Sequence, residues 1–483
     1  MKSLLRGIAI VVCWCLCLSC AEESTDDRQQ PAKAEAPEAN PQRLTRIVLI
    51  TIDTLRADHL SGYGYDKPTS PNIDKLMARG ATFTRAFSAS SNTGSSHASI
   101  MTGRYAPFHS IGAFNSAYQL TPETQTLAEL LSEKGFWTGA VVSNPILDRG
   151  LGLSQGFHVY DDDLEGSERN RPYAERYADV AVDKGLWVIE RFKGRPYFLW
   201  VHIQDPHGPY DPPKQWLAKM NGYRYERGRQ LPAGQDHSGH RAIPRYQIFH
   251  DERAVGDYMK RYDAEIAFAD SELGRLFELL GSDQQMYNSL VIVTSDHGEA
   301  FGEDDLYFAH GHSVGLDLVR VPLVLMGSGI PAGLKHDQPV SNAWIFDTVL
   351  HFVDGQSAGD RSLLTAVADD KDKSWDAPPA FMDSLNQAGV AQGDWFFRTD
   401  RLPPEATIFW TKDPNTPKFW EPLGKQWVSL VTLKATAEHQ ATALLLDAHL
   451  SAMLQWPQDF AGAKRQLTGK RQLEALRSLG YVE

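Results

Sequence analysis

Three runs of apolar, mostly β-branched residues predict strands that are buried on both faces of a parallel sheet. Polar residues that can bind a metal follow each run: Asp53 after residues 47–52, Asp205 and His207 after 197–203, and Asp296 and His297 after 290–295. Ligands of open α/β sheets bind at the carboxyl ends of the strands. The pattern therefore predicts a ligand site at this edge of the sheet.

Helical patterns alternate with these runs. Residues 126–135 have helical spacing and end at Gly135, and residues 262–280 form an amphipathic repeat. Roughly 440 residues follow the first 46, which is enough for one large α/β domain and a smaller one. We predict an α/β fold with a large mixed, mostly parallel sheet sandwiched by helices.

The segment Thr93–Arg104 predicts a nucleophile at a helix start. Ser91, Asn92 and Thr93 are residue types that favour the N-cap, and helix formers follow them. A hydroxyl there would face an anion held by free N–H groups and the helix dipole. A phosphate or sulfate would suit this position. The alternative is that these hydroxyls only cap the helix.

The same segment resembles the signature loop of the sulfatases, within the alkaline phosphatase superfamily. Ser96 and the run Met101-Thr102-Gly103-Arg104 match, whereas Thr93, Ser95 and His97 replace the family's Cys or Ser, Pro and Arg. Threonine cannot form the formylglycine of sulfatases. The chain thus resembles the threonine-bearing branch, which includes phosphodiesterase-type and phosphonate-type hydrolases and phosphoethanolamine transferases. An alkaline phosphatase-like fold is implied.

The resemblance also implies roles for the polar residues at the strand ends. Thr93, His97 and His207 are expected to be catalytic. One divalent cation would bind Asp53, Asp296, His297 and the Thr93 oxygen, while Asp205, His207 and His310 would bind a second cation or the substrate's oxygens. Mixed Asp and His ligands favour zinc or manganese, with calcium or magnesium as alternatives. Without the resemblance, Asp53 could be an N-cap, and Asp205 with His207 a turn.

Other positions depart from the sulfatase pattern. Thr54 stands where sulfatases carry a second Asp, and Asn144-Pro145-Ile146 replaces a Lys-x-His pair that binds sulfate. We expect His109 and His312 to lie outside the site. The first hypothesis is hydrolysis of phosphate, phosphodiester or phosphonate esters by Thr93. The alternatives are sulfate-ester hydrolysis without formylglycine and a binding protein on an inactive hydrolase scaffold. Head-group transfer between lipids is less favoured, because no predicted transmembrane helix precedes the domain.

The first 20 residues resemble an export signal. Lys2 and Arg6 precede a short apolar run, and Ser19-Cys20-Ala21 resembles a bacterial lipoprotein box. We predict lipidation at Cys20 and a location on the periplasmic face of a bacterial membrane, with ordinary signal cleavage or an uncleaved anchor as alternatives. All four cysteines lie within residues 13–20, so the mature domain is expected to contain no disulfide.

The remaining sequence predicts three further segments. Residues 21–44 are rich in Ala, Glu, Pro and Gln and are expected to be a disordered tether. Residues 45–355 would form the catalytic domain, and residues 356–483 a C-terminal α+β subdomain with a small antiparallel sheet and a terminal helix. The net charge of −13 argues against nonspecific binding of nucleic acid. A small anionic ester remains compatible with it, since such a substrate responds to the local field.

Overall fold

The computed structural model describes residues 45–112, 119–171, 173–249, 252–281, 288–356, 360–369, 375–385, 387–393, 395–400, 407–410 and 428–429. Cys20, the predicted tether and the predicted terminal helix lie outside these residues. The described helices are α1 (Pro71–Arg79), α2 (Thr93–Thr102), α3 (Ala106–His109), α4 (Leu127–Glu133), α5 (Ala178–Arg191), α6 (Lys214–Met220), α7 (Val255–Leu280), α8 (Leu316–Val319), α9 (Ile345–Asp354) and α10 (Leu363–Ala368). None of them combines the length and apolarity that crossing a membrane requires.

The strands are β1 (Arg46–Ile52), β2 (Ala81–Phe83), β3 (Ala86–Phe87), β4 (Trp137–Val141), β5 (Val159–Asp161), β6 (Gly166–Ser167), β7 (Ala174–Glu175), β8 (Tyr197–Ile203), β9 (Ser289–Ser295), β10 (Arg320–Val321), β11 (Leu323–Gly327), β12 (Leu334–His336), β13 (Val340–Ser341), β14 (Ala380–Asp383), β15 (Gln387–Gln392), β16 (Trp395–Asp400), β17 (Thr407–Trp410) and β18 (Val428–Ser429). Short 3₁₀ turns include Ala57–His59, Ser61–Tyr63, Pro145–Leu147, Arg149–Leu151, Arg245–Gln247, Glu303–Asp305 and Asn342–Trp344.

A mixed, mostly parallel sheet forms the centre of the fold. Within the described residues it has eight strands in the order β12-β2-β11-β9-β1-β8-β4-β5. β1 pairs in parallel with β9 and β8, while β11 pairs antiparallel with both of its neighbours. The predicted fold class is confirmed. In the C-terminal part, β14 to β18 form an antiparallel sheet.

The sheet is buried on both faces, as its continuous apolar strands predict. Ile47 and Leu49 of β1 pack in one apolar cluster with residues of α2, α4 and α9. Val48 and Ile50 point to the opposite face, where the cluster includes residues of α1, α5 and α7. Because side chains alternate along a strand, Thr51 and Asp53 fall on the α2 side. This alternation directs Asp53 toward the start of α2.

Candidate active site and metal centre

The register of three parallel strands places their polar ends side by side. Ile52 is opposite Ile203 on one side and Ser295 on the other. The Asp53 amide donates to the carbonyl of Ile203 at 2.9 Å. Asp53 and Asp296 therefore leave neighbouring strands at the same edge, and both are fully buried.

Helix α2 brings Thr93 to this edge. Asn92, the residue before the helix, has extended backbone and makes no capping hydrogen bond with its side chain. Thr93 is the first helical residue and is 1% exposed. The helix ends at Thr102, and the left-handed φ of 65° at the following residue, Gly103, suits glycine. The first N–H groups of α2 thus remain available to an anion, as at other helix starts.

Hydrogen bonds leave one oxygen of each aspartate free toward the site. Asp53 Oδ2 accepts from Asn144 Nδ2 at 3.0 Å and lies 3.4 Å from His202 Nε2. Asp296 Oδ1 accepts from the amides of Thr54 and His297 at 3.2 and 2.8 Å. The other oxygens, Asp53 Oδ1 and Asp296 Oδ2, are buried and have no hydrogen-bond partner among the described residues.

His297 offers its second ring nitrogen to the same point. Its Nδ1 lies 2.9 Å from the Gly298 carbonyl, which only accepts, so Nδ1 carries the proton and Nε2 has a lone pair. Nε2 is 3.1 Å from Thr93 Oγ1, 3.5 Å from Asp296 Oδ2 and 3.9 Å from Asp53 Oδ1. Four atoms of suitable chemistry therefore converge on one position.

These residues fit a divalent cation. The possible ligand atoms of Asp53, Asp296 and His297 lie within 4.8 Å of one another, and each ligand is oriented by hydrogen bonds of its remaining atoms, as in known metal sites. Burial raises the pKa of Asp53 to about 7, although His297 and the Asn144 hydrogen bond oppose that shift. A bound cation would favour the ionised carboxylate.

A second group forms beside the first. His310 packs against His297 with ring centroids 4.3 Å apart, and His207 against His310 at 5.3 Å. His310 Nδ1 lies 3.1 Å from Glu299 Oε1, whose other oxygen accepts from the Tyr210 hydroxyl at 3.0 Å. Burial lowers the pKa of His310 to about 4 and raises that of Glu299 to about 8.

Two predicted site residues have other contacts. The Asp205 carboxylate accepts from the amide of Ala178, the first residue of α5, at 2.8 Å. Its predicted role with His207 and His310, as a ligand of a second cation or of the substrate's oxygens, stays a prediction. His97 lies beneath Thr93, and its ring nitrogens contact the Thr93 carbonyl and the Thr51 hydroxyl at 2.8 and 2.9 Å. Burial lowers the pKa of His97 to about 3.

Four further residues of the site were not predicted from the sequence: Asn144, His202, Tyr210 and Glu299. His202 lies within an apolar strand, where a histidine resembles an ordinary core residue. The alternation of side chains along β8 could have indicated His202. Trp200 and His202 point to the same face of the sheet, and the predicted site lies on that face. Asn144 begins the segment that departs from the family pattern, and that departure does not indicate its contact with Asp53.

The sequence model of the sulfatase family matches residues 45–355. The chain belongs to the sulfatase family. It is a hydrolase of the alkaline phosphatase superfamily, as the resemblance predicted. A sulfatase of Formosa agariphila is 24% identical over 396 residues, which are 72% of this chain and 73% of that protein.

Solved structures share the fold of this sulfatase-family protein. BT4656, solved in complex with its substrate D-glucosamine-2-N,6-O-disulfate, superposes with a TM-score of 0.68 at 17% identity over 86% of this chain and 99% of its own. The phosphonate monoester hydrolase SpPMH from Silicibacter pomeroyi gives 0.63 at 18% identity, over 84% and 94%. Both protein classes have this fold, so membership of the threonine-bearing branch stays a prediction.

Proposed function

We propose that this protein hydrolyses an ester of phosphate or phosphonate with Thr93 as the nucleophile. The observation that carries the proposal is the position of Thr93: its hydroxyl lies 3.1 Å from His297 at the start of α2. Threonine cannot be oxidised to the aldehyde on which sulfatases depend. A direct attack by the hydroxyl is the chemistry left to this residue.

The neighbouring residues support attack on an anionic ester. Asp53, Asp296, His297 and Thr93 would hold a divalent cation, which when bound lowers the pKa of the hydroxyl and offsets the substrate's charge. The first N–H groups of α2 face the added charge as the attack proceeds. Zinc or manganese is our preferred cation because the ligands include histidine.

The reaction has two steps. Thr93 loses its hydroxyl proton to solvent, and its oxygen bonds to phosphorus while the bond to the leaving alcohol breaks. The departing alkoxide takes up a proton from solvent, because burial lowers the pKa of His207 and of His310 and keeps both imidazoles uncharged. Water then attacks the phosphothreonine ester, which restores the Thr93 hydroxyl and releases phosphate or a phosphonate.

Hydrolysis of sulfate esters without formylglycine is the second candidate. The substrate in the BT4656 complex is a sulfated sugar, and sulfate resembles phosphate in size. We favour phosphorus because the Lys-x-His pair expected for sulfate binding is replaced by residues 144–146. The Asn144 amide there contacts Asp53 instead.

The decisive experiment compares aryl phosphate, aryl phosphodiester, aryl phosphonate and aryl sulfate with zinc- or manganese-loaded protein. Turnover of a phosphorus ester that is lost in Thr93→Ala supports the proposal. Turnover of the sulfate alone supports the second candidate. Failure with every ester and both metals would favour the binding-protein alternative.

We also propose export and anchoring through a lipid on Cys20, as the first 20 residues suggest. The test is labelling of bacterial cells with a radioactive fatty acid, followed by membrane fractionation. Wild-type protein should carry label and sediment with membranes, whereas Cys20→Ala should do neither. Unlabelled, soluble wild-type protein would contradict lipidation.

A further inference from the structure

A chain of buried hydrogen bonds connects the central sheet to the backbone of Thr93. The Trp200 indole Nε1 donates to Thr51 Oγ1 at 2.9 Å. Thr51 Oγ1 lies 2.9 Å from His97 Nε2, and His97 Nδ1 lies 2.8 Å from the Thr93 carbonyl oxygen. Trp200, Thr51 and His97 are each 0% exposed, so water does not compete for these contacts.

The donor at one end and the acceptor at the other fix the direction of this series of hydrogen bonds. An indole N–H only donates and a carbonyl only accepts. The Thr51 oxygen therefore accepts from Trp200 and can give its own proton to His97 Nε2, while Nδ1 of His97 carries a proton for Thr93. The neutral ring with hydrogen on Nδ1 satisfies every contact.

The ring proton of His202 is on the other nitrogen, Nε2. The Ser143 amide donates to His202 Nδ1 at 3.3 Å, so the proton is on Nε2, which faces Asp53 Oδ2. His97 and His202 lie near Asp296 with the spacing of a possible second metal group. The hydrogen bonds argue against that group. The His97 nitrogen near Asp296 is Nδ1, 3.8 Å from Oδ2, and it bears the hydrogen donated to Thr93. The Nε2 of His202 also bears hydrogen, so neither nitrogen has a lone pair for a cation.

We propose that His97 is a positioning residue: it holds the Thr93 backbone from a fixed Nδ1–H tautomer and takes no part in metal binding or proton transfer. The proposal rests on the proposed role of Thr93 as nucleophile. Its effect is to fix the first turn of α2, and with it the Thr93 hydroxyl, relative to Asp296 and His297. His97, expected from the sequence to be catalytic, would thus act only through Thr93.

The first test is independent of activity. Protein labelled with ¹⁵N-histidine is examined by long-range ¹H–¹⁵N correlation at neutral pH, before and after zinc is added. The His97 and His202 signals are assigned by their loss in His97→Asn and His202→Asn. We expect the Nδ1–H form for His97 and the Nε2–H form for His202, both unchanged by zinc. A charged or Nε2–H form of His97, or a zinc-bound nitrogen, would overturn the proposal.

The second test separates positioning from proton transfer. His97→Asn keeps an N–H near the position of Nδ1, whereas His97→Leu does not, and Thr51→Ser keeps the hydroxyl that Thr51→Val removes. We expect kcat to fall roughly 10- to 100-fold in the Leu and Val variants, as for other supporting residues, with little change in KM. The Asn and Ser variants should recover part of the loss.

The pH profile completes the test. If His97 only positions Thr93, all four variants keep the limbs of the wild-type profile. Loss of one limb in both His97 variants, with no recovery in His97→Asn, would show an acid or base role and overturn the proposal. Activity that persists in Thr93→Ala would refute the proposed nucleophile, whereas the tautomer of His97 would still be decided by the NMR result.

Discussion

The hydroxyl oxygen of Thr93 lies 3.1 Å from Nε2 of His297, although 204 residues separate them in the chain. One residue comes from the first turn of a buried helix, and the other follows a central strand. Since Nδ1 of His297 is committed to the Gly298 carbonyl, the free Nε2 is fixed in the direction of Thr93. The sheet and α2 thus meet at the atoms on which the proposed reaction depends.

Removal of the Thr93 hydroxyl should abolish turnover without unfolding the protein. Thr93→Val preserves the β-branched shape and should reduce kcat by roughly a thousand-fold or more. Thr93→Ser retains the nucleophile and should stay far closer to wild type. Steady-state kinetics on the preferred ester, with thermal unfolding as a folding control, check this. Equal activity of the Val and Ser variants would exclude attack by residue 93.

The residues behind the metal ligands should matter for metal affinity. The Asn144 amide donates a hydrogen bond to Asp53 Oδ2, which leaves Asp53 Oδ1 to bind the cation. We expect Asn144→Ala to weaken metal binding about 10- to 100-fold, measured by competition with a chelator. Asn221→Ala changes an exposed asparagine and is the matched control. Unaltered affinity in Asn144→Ala would contradict the assigned orientation of Asp53.

Glu299 should fix the orientation of the His310 ring, as Asn144 fixes that of Asp53. Its two oxygens contact His310 and Tyr210, and Glu299→Leu removes both contacts while it keeps a similar volume. We expect kcat to fall about 10- to 100-fold, and Tyr210→Phe to lower it less because the His310 contact remains. The measurement is kcat at saturating substrate and metal. Wild-type kcat in Glu299→Leu would show that His310 needs no such support.

The local sequence pattern was sufficient to predict the position of a residue that directly follows a buried strand. Asp53 and Asp296 were predicted because each terminates an apolar run of β-branched residues. Asp205 also follows such a run, but its side chain accepts from the amide of Ala178. The partner of Asp205 therefore depends on the position of the first residue of α5. The residue pattern along β8 does not specify that position. His202 was missed because only hydrogen bonds distinguish it from a core histidine.

Gly298, the residue after His297, is required by close packing between two segments of the chain. The structure gives Gly298 no left-handed φ, but a Cβ would lie 2.0 Å from the Asp317 carbonyl oxygen. Close packing of two backbone segments therefore requires glycine here, and packing across 19 positions of sequence has no local pattern.

Gly298→Ala should accordingly destabilise the metal-binding loop. The added methyl group must displace the Asp317 backbone, at a cost of about 1–3 kcal/mol. The shift would also disturb the neighbouring His297, so metal affinity should fall together with the unfolding temperature. Calorimetry with and without zinc measures both effects. Wild-type stability and affinity in the variant would mean that the two segments can separate without cost.

The stability of the fold should depend on pH through Glu175. This side chain is 5% exposed, and burial, together with the charges of Glu168 and Asp205, raises its pKa from 4.5 to about 8. The folded state therefore retains a proton that the unfolded chain releases, so the stabilising contribution is present below pH 4.5 and is lost as the pH rises toward 8. Glu175→Gln removes this loss.

The variant should match wild type at acidic pH and exceed it above pH 8, by at least about 1 kcal/mol, since one unit of pKa shift corresponds to about 1.4 kcal/mol. Denaturant unfolding across this pH range measures the difference. Glu190→Gln, which changes an exposed carboxylate, should differ from wild type by a nearly constant amount. A constant difference for Glu175→Gln as well would show that the pKa of Glu175 is the same in the folded and unfolded states.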